Sequence, residues 1–146
     1  MHTVNRQAIV RHKAEKMFHL VNDIMSYPQF LKWCHDSHLL EHSESHMLAG
    51  MTVSLAGIKQ NFTTQNIFSR DGDNLRIDLS LYKGPFDKLS GYWFFTHLND
   101  EASKIELHMD FHFKSGFLNS AFKRAFGKIA QQLVSDFVNQ ANKVYL

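Results

Sequence analysis

The stretch LNSAFKRAFGKIAQQLVSDFVNQANKVY, residues 118–145, decides the fold of this chain. Its apolar side chains recur every three or four residues, which predicts one amphipathic helix about 40 Å long. Ser115 and Asn119 are candidate N-caps. Gly127 costs about 1 kcal/mol relative to alanine inside a helix, and we interpret it as a point of close contact with a sheet. The repeating apolar residues are Leu118, Phe122, Ala125, Phe126, Ile129, Leu133, Phe137, Ala141, Val144 and Tyr145.

The region before this helix is predicted to form strands. Apolar and polar side chains alternate in residues 75–82, 89–95 and 104–113, which is typical of strands with one buried face. Turn signals separate these strands, the clearest being Asp-Gly-Asp-Asn at residues 71–74. Strands linked by hairpins pair in an antiparallel sense, so the sequence predicts an antiparallel sheet.

The first part of the chain has a different pattern. Residues 3–11 alternate like a strand, residues 13–23 have helical spacing, and Pro28 suits the first turn of a short helix through Trp33. The predicted order is a strand, two short helices, about six strands and the long helix. We therefore expect an α+β fold in which a curved antiparallel sheet of about seven strands wraps around the C-terminal helix, as a single domain over residues 1–146.

Residues 33–46, WCHDSHLLEHSESH, hold the single cysteine, Cys34, and four of the ten histidines. In a helix, His38, His42 and His46 would share a face and could bind zinc. In a strand, residues four apart lie about 13 Å from each other, too far for one metal ion. No capping box precedes the stretch, and its neighbours resemble the entry to a hairpin. We expect a solvated strand without a metal, and a buried Cys34 that serves packing.

Charge and apolar content limit the possible partners and compartments. Lysine and arginine total 16 against 14 acids, a net charge of +2, so no DNA partner is expected. No signal segment or membrane span is evident, and one cysteine fits a reducing cytosol. We expect a cytoplasmic protein; peripheral contact with the inner membrane stays open. Two local basic patches are either solvated faces or a surface for an anionic partner: Arg6, Arg11, Lys13 and Lys16, then Lys123, Arg124 and Lys128.

The sequence offers no catalytic set. It lacks the GxSxG, Walker, GxGxxG and HExxH motifs, and its carboxylates are scattered. We therefore expect no enzyme, no catalytic residue, and no metal or other cofactor. Thirteen phenylalanines predict either a bulky closed core or an apolar cavity, and composition leaves both open.

Three stretches carry a family resemblance: DIMSYPQFLKWC at residues 23–34, GIKQNFTTQN at 57–66 and GPFDKLSGYWFF at 84–95. Together with the last helix, they resemble the coenzyme Q-binding proteins and their bacterial relatives, the ribosome-association toxins. These families belong to the START-like, helix-grip superfamily, near the polyketide cyclases and dehydrases. The joint occurrence of Tyr27-Pro28, Trp33-Cys34 and Gly84-Pro85-Phe86 is what makes the resemblance specific.

The resemblance implies an apolar tunnel between sheet and helix, and two alternative functions. One is non-catalytic binding of ubiquinone or a polyisoprenoid-quinone precursor, in support of respiration. The other is binding to the large ribosomal subunit and a block on subunit association, as a toxin of translation. Fold alone does not choose between them. A third option is a cyclase-type enzyme that uses the same cavity, and the lack of an acid–base pair argues against it. The candidate lining residues are Phe30, Trp33, Leu55, Leu79, Leu81, Phe86, Trp93, Phe95, Phe122, Phe126 and Ile129.

Overall fold

A computed structural model describes residues 2–145 of the chain. Its helices are α1 (Ala14–Asn22), α2 (Tyr27–Phe30) and α3 (Ser120–Val144), and a 3-10 turn, Ile24–Ser26, joins the first two. Its strands are β1 (His2–Val10), β2 (Cys34–His42), β3 (His46–Leu55), β4 (Ile58–Asp71), β5 (Asn74–Lys83), β6 (Phe86–Asn99) and β7 (Ala102–Phe113).

The seven strands form one curved sheet in the order β1-β7-β6-β5-β4-β3-β2. Every neighbouring pair is antiparallel. Strands β2 to β7 follow each other as hairpins, and β1 returns to pair with β7, so that β1 and β2 are the edges. The predicted α+β fold, with its antiparallel sheet and long C-terminal helix, is confirmed.

The hairpin turns explain the register of the sheet. Ala56 and Gly57 have positive φ angles of 52° and 76°, which suits the two-residue turn between β3 and β4. Gly72, with a φ of 62°, provides the corresponding turn between β4 and β5. The turns predicted at residues 57 and 71–74 are therefore confirmed, and they hold β3, β4 and β5 side by side along their length.

Helix α3 covers the concave face of the sheet with one stripe of side chains. The Asn119 side chain accepts a hydrogen bond of 2.9 Å from the backbone N–H of Phe122, so of the two candidate caps Asn119 is confirmed. The helix begins at Ser120 rather than 118, because the cap residue itself is extended. Its buried stripe consists of Phe122, Phe126, Ala130, Val134, Phe137 and Ala141.

Two local predictions are wrong. The helix that holds Pro28 ends at Phe30 instead of Trp33, because Leu31 is extended and the Trp33 carbonyl accepts a hydrogen bond from the Ser54 N–H of β3. Gly127 is not a point of close contact: a Cβ placed there would have no heavy atom within 4 Å beyond the helix's own neighbouring backbone.

The histidine-rich stretch is a strand, as predicted. In β2, Cys34 and Ser37 are buried, whereas the remaining side chains, including both His38 and His42, are exposed. A register shift between Leu39 and Glu41 interrupts the alternation of the strand. His46 lies on the next strand, β3, so the solvated strand expected over residues 33–46 ends at His42 instead.

Candidate functional site

A cavity of about 100 Å³ lies between α3 and the concave face of the sheet. Five strands form its floor, α3 its roof, and the segment around α2 one side. The floor consists of Ala49 and Met51 of β3, Phe62, Thr64 and Asn66 of β4, Leu79 of β5, Leu89 and Trp93 of β6 and Met109 of β7. The roof consists of Phe126, Ile129, Ala130, Leu133 and Phe137, and the side of Ile24, Tyr27 and Trp33.

Aromatic clusters define the two ends of this cavity. At one end, Phe126 packs on Phe62, with ring centroids 6.2 Å apart. At the other end, Phe137 meets Trp93 edge-to-face at 5.5 Å and Tyr27 at 5.4 Å. About three turns of α3 separate Phe126 from Phe137, and the buried residues between them, Ala130 and Val134, are smaller. The cavity therefore exists because no aromatic side chain occupies the middle of the helix stripe.

Small side chains leave the space open. Ala130 lies midway along the buried stripe of α3, and Ala49 lies in the floor on β3. Both are almost fully buried, so their methyl groups end where larger side chains would fill the core. The pattern of large and small side chains separates this region from the closed packing on either side.

The segment before β2 is pinned to the sheet by hydrogen bonds. The Ser37 hydroxyl donates to the Ile24 carbonyl at 2.6 Å, and the Tyr27 hydroxyl donates to the Val21 carbonyl. Burial raises the pKa of the Tyr27 phenol far above its ordinary value, so this group stays neutral. Because its hydroxyl is already bonded to the backbone, Tyr27 presents its ring to the cavity.

Thr64 and Asn66 bring polar side chains to this apolar wall. They are 7% and 6% exposed, and the Thr64 hydroxyl donates a hydrogen bond of 2.8 Å to Oδ1 of Asn66. The amide nitrogen of Asn66 has no hydrogen-bond partner among residues 2–145. Met47 of β3 and Leu79 of β5 are its cross-strand neighbours. The two hydrogens of this amide nitrogen are therefore available to an acceptor in the cavity.

A second donor lies in the same wall without a partner. The indole nitrogen of Trp33 is shielded from solvent and makes no hydrogen bond to any described residue. Its carbonyl is held by Ser54, so the backbone of Trp33 is fixed while the indole N–H is left unsatisfied. In the described part of the chain, the indole nitrogen of Trp33 and the amide nitrogen of Asn66 are therefore two donors of the cavity wall that make no hydrogen bond.

Five of the predicted lining residues lie in the cavity wall: Trp33, Leu79, Trp93, Phe126 and Ile129. The other six lie outside it. Phe86 and Phe122 pack in the aromatic cluster beyond Phe126, and Phe95 lies behind Trp93. Phe30 packs against Tyr27 and Phe137, while Leu55 and Leu81 lie at the margin of the core.

Sequence reasoning missed twelve residues of the cavity wall, and four of them are small or polar. Thr64 and Asn66 lie two and four residues after Phe62 on β4, a spacing that places side chains on the same face of a strand. The apolar Phe62 was therefore the available signal that these two side chains point into the core. No sequence signal identified the gap at Ala49 and Ala130, since alanine suits any buried face. The remaining missed residues are Ile24, Tyr27, Met51, Phe62, Leu89, Met109, Leu133 and Phe137.

Cys34 lies at the start of β2 behind the cavity side and is 3% exposed, which confirms the prediction that it is buried. Burial raises the pKa of its thiol to about 11. The thiol donates a weak hydrogen bond of 3.4 Å to the Asp36 carbonyl. A protonated, enclosed thiol of this kind is a packing group at neutral pH.

The two basic patches, which are separate in sequence, flank one helix. Arg6 of β1 donates a hydrogen bond of 2.9 Å to Gln131 of α3, one turn from Lys128 and two from Arg124. Near the end of α3, Lys16 lies 5.2 Å from the centre of the Tyr145 ring. Arg11 and Lys13 line a groove with Lys16 and Tyr145, in which Asp100 and Glu101 supply opposite charge. Lys123, which directly precedes Arg124 in α3, is half-buried.

These basic side chains are mostly exposed, and none of the seven forms an ion pair with another residue of the described range. We call the group of Arg124, Lys128, Arg6, Lys16 and their neighbours Arg11, Lys13 and Lys123 the basic stripe. Between Arg124 and Tyr145 the helix rises by about 30 Å, which sets the length of the stripe.

A curved sheet that grips one long helix around an apolar cavity defines a START-like, helix-grip protein. A solved structure of a START superfamily protein from Mycobacterium smegmatis agrees with this chain at a TM-score of 0.79 and 18% sequence identity, covering 99% of both chains. This likeness establishes the fold. Among residues 2–145, no helix has the length and apolar character needed to cross a membrane.

Sequence similarity identifies the family. The profile of the polyketide cyclase/dehydrase and lipid transport family matches residues 10–138, so the chain belongs to this family. The ribosome association toxin RatA of Vibrio cholerae serotype O1 is 44% identical over 145 residues, 99% of each chain. The mitochondrial coenzyme Q-binding protein coq10 of Schizosaccharomyces pombe is 21% identical over 136 residues, 91% of this chain and 82% of the relative. The predicted resemblance to these two groups is confirmed.

Proposed function

We propose that the protein binds an apolar ligand of the polyisoprenoid-quinone class between α3 and the sheet, without chemistry on the ligand, and thereby supports respiration. The observation that carries this proposal is the cavity itself, enclosed by aromatic and aliphatic side chains and supplied with a few polar donors. The similarity to a coenzyme Q-binding protein supports the choice of ligand class.

The volume of the cavity limits what it holds at rest. An engineered cavity of about 150 Å³ takes benzene. The space of about 100 Å³ described here is therefore near the size of one small ring and too small for an isoprenoid chain. A full ligand requires α3 to move outward. Ile129 and Leu133, on the face of α3 that lines the cavity, are only half-buried, and we propose that the helix separates from the sheet at this turn.

Extraction of the purified protein tests the ligand class. The protein is isolated from its own cells, extracted with organic solvent, and the extract is analysed by mass spectrometry against an extract of an unrelated protein of similar size. We expect a quinone or quinone precursor to be enriched. If none co-purifies, and added quinone leaves the tryptophan fluorescence unchanged, the proposed function is wrong, because Trp33 and Trp93 both lie in the cavity wall.

A second candidate function is association with the large ribosomal subunit to block subunit joining, as a toxin of translation. Relatives named ribosome association toxins are more similar to this chain, at 44% identity, than the coenzyme Q-binding relative at 21%. The basic stripe supports it physically, because exposed cations without ion-pair partners among the described residues suit contact with RNA phosphates. The two functions use different surfaces and do not exclude each other.

Sedimentation tests this second function. Purified protein is mixed with ribosomal subunits at low salt and separated on a sucrose gradient. We expect the protein to migrate with the large subunit and to leave it as the salt concentration rises. Absence of the protein from the large-subunit fraction at low salt contradicts the proposal.

A further inference from the structure

The side chain of Asn66 is a hydrogen-bond donor built into a wall that is otherwise nearly all apolar. It is more than nine-tenths buried, lines the cavity, and has Met47 and Leu79 beside it on the neighbouring strands. Neither neighbour offers an oxygen from its side chain. Among the described residues, the amide nitrogen makes no hydrogen bond.

Thr64 fixes which end of this amide faces the cavity. Its hydroxyl donates to Oδ1 of Asn66 at 2.8 Å, so the carbonyl end of the amide is engaged along the strand. The nitrogen end, which carries two hydrogens, is left for the cavity. A donor held in one orientation by a second side chain is preorganised for an acceptor.

We propose that Asn66 determines the specificity of the cavity by donating a hydrogen bond from Nδ2 to a carbonyl oxygen on the ring of the ligand, and that Thr64 is a positioning residue. This inference rests on the proposed function and narrows it to a ring that carries a carbonyl group. A pure hydrocarbon, such as an isoprenoid chain alone, satisfies the apolar wall but leaves the amide unpaired.

Two ring-sized probes of the same shape test this proposal. Acetophenone carries a carbonyl oxygen where α-methylstyrene carries a CH₂ group, so the two differ in the acceptor. Affinities of both probes are measured by calorimetry for the wild type and for three variants. Asn66→Leu removes the donor, Thr64→Val removes the hydroxyl that orients it, and Asn61→Leu is the control, because Asn61 is exposed on the same strand.

We expect Asn66→Leu to weaken acetophenone binding about tenfold and to leave α-methylstyrene binding unchanged or tighter. Thr64→Val should weaken acetophenone binding about threefold, since the amide keeps its donor but loses its fixed orientation. Asn61→Leu should change neither affinity. In ¹⁵N–¹H spectra of the wild type, acetophenone should move an Asn66 side-chain amide proton further downfield than α-methylstyrene does, because both rings contribute a ring-current shift but only acetophenone accepts a hydrogen bond. The signals are assigned by their loss in Asn66→Leu.

The possible failures are distinguishable. If the wild type binds both probes and Asn66→Leu changes both affinities by the same factor, or neither, then Asn66 does not select the carbonyl and this inference is wrong while the cavity function stands. If Asn66→Leu does not fold, the ratio of the two probe affinities for Thr64→Val, against that for the wild type, decides the question in the same way. If the wild type binds neither probe although quinone co-purifies with the protein, this inference is wrong while the cavity function stands. If no quinone co-purifies either, both fail.

Discussion

The hydroxyl of Thr64 donates a hydrogen bond to the side-chain oxygen of Asn66, two residues further along β4 and on the same concave face of the sheet. A register shift between Thr63 and Thr64 precedes this pair, and both threonines are buried. The irregular strand thus carries two polar side chains into an apolar cavity, where one of them orients the other. This relationship gives the cavity a chemical preference that its shape alone does not supply.

Gly91→Ala is expected to be severely destabilising. A Cβ at Gly91 would lie 2.0 Å from the backbone oxygen of His108 and 2.7 Å from Cα of Met109, so the β6–β7 pair must shift to accept it. Because these neighbours are backbone atoms, no side-chain rotation relieves the clash. We expect a loss of about 3 kcal/mol or more in the free energy of unfolding, measured by urea denaturation. A loss below about 1 kcal/mol contradicts the close approach of the strands.

Gly127→Ala should have the opposite effect. The space around a Cβ at Gly127 is open, and alanine is favoured over glycine inside a helix by about 1 kcal/mol. The variant should gain about that amount in the same urea experiment, with unchanged ligand affinity. A destabilised Gly127→Ala would show that the helix lies closer to the sheet in solution than the structure has it.

Most of the fold was predictable because period and turn chemistry are local properties. Alternation in Ile105–Phe113 and the three-to-four spacing after Asn119 identified a strand and a helix without tertiary information. The end of α2 at Phe30 was not predictable, because a tertiary hydrogen bond from Ser54 to the Trp33 carbonyl contributes to it. The role of Gly127 was misjudged for the same reason, since propensity gives the cost of a glycine but not its surroundings.

The candidate site was less predictable than the fold. The prediction favoured aromatic residues, but Phe86 and Phe122 pack against other rings and leave no space. Space arises where side chains are small, at Ala130 and Ala49, and that depends on which residues face each other across the fold. Asn66 is a polar residue at an inward position, which is the kind of local conflict that marks a functional site.

Cys34 should make the stability of the protein depend on alkaline pH. Its thiol pKa is raised by burial to about 11 in the folded chain, above its ordinary value of 9.0. Stability from this group is therefore complete below about pH 9, where both states hold the proton. Between about pH 9 and 11 the unfolded chain releases the proton first, so the free energy of unfolding falls.

Comparison with Cys34→Ala isolates this effect in urea denaturation between pH 8 and 11. The variant loses packing at every pH, but its stability should fall less steeply above pH 9. Tyr27 also has a raised pKa and contributes to the fall in both proteins, so the difference between them belongs to Cys34. Parallel pH profiles for the two proteins would show that the thiol ionises equally easily in both states. In the native wild type, iodoacetamide should label Cys34 slowly at pH 8.

If the basic stripe contacts ribosomal RNA, removal of two of its charges should lower the salt dependence of binding. For Arg124→Gln with Lys128→Gln, we expect weaker binding to large subunits and a slope of log K against log salt that is smaller in magnitude by about 1.4 to 1.8. The control is Lys59→Gln with Lys83→Gln, two exposed lysines on β4 and β5. An equal change in slope for both pairs would show that the effect is one of net charge rather than of this surface.

Ligand binding by a cavity-filled variant tests the central claim most directly. Ala130→Leu adds three heavy atoms to the middle of the buried α3 stripe, whereas Ala121→Leu adds the same atoms to the exposed face of the helix. Binding of decylubiquinone to the wild type and both variants is measured by calorimetry, with urea denaturation as the check on folding. We predict that the wild type and Ala121→Leu bind alike, while folded Ala130→Leu binds at least tenfold more weakly. Equal binding by all three proteins, or no binding by the wild type, would contradict a ligand site between α3 and the sheet.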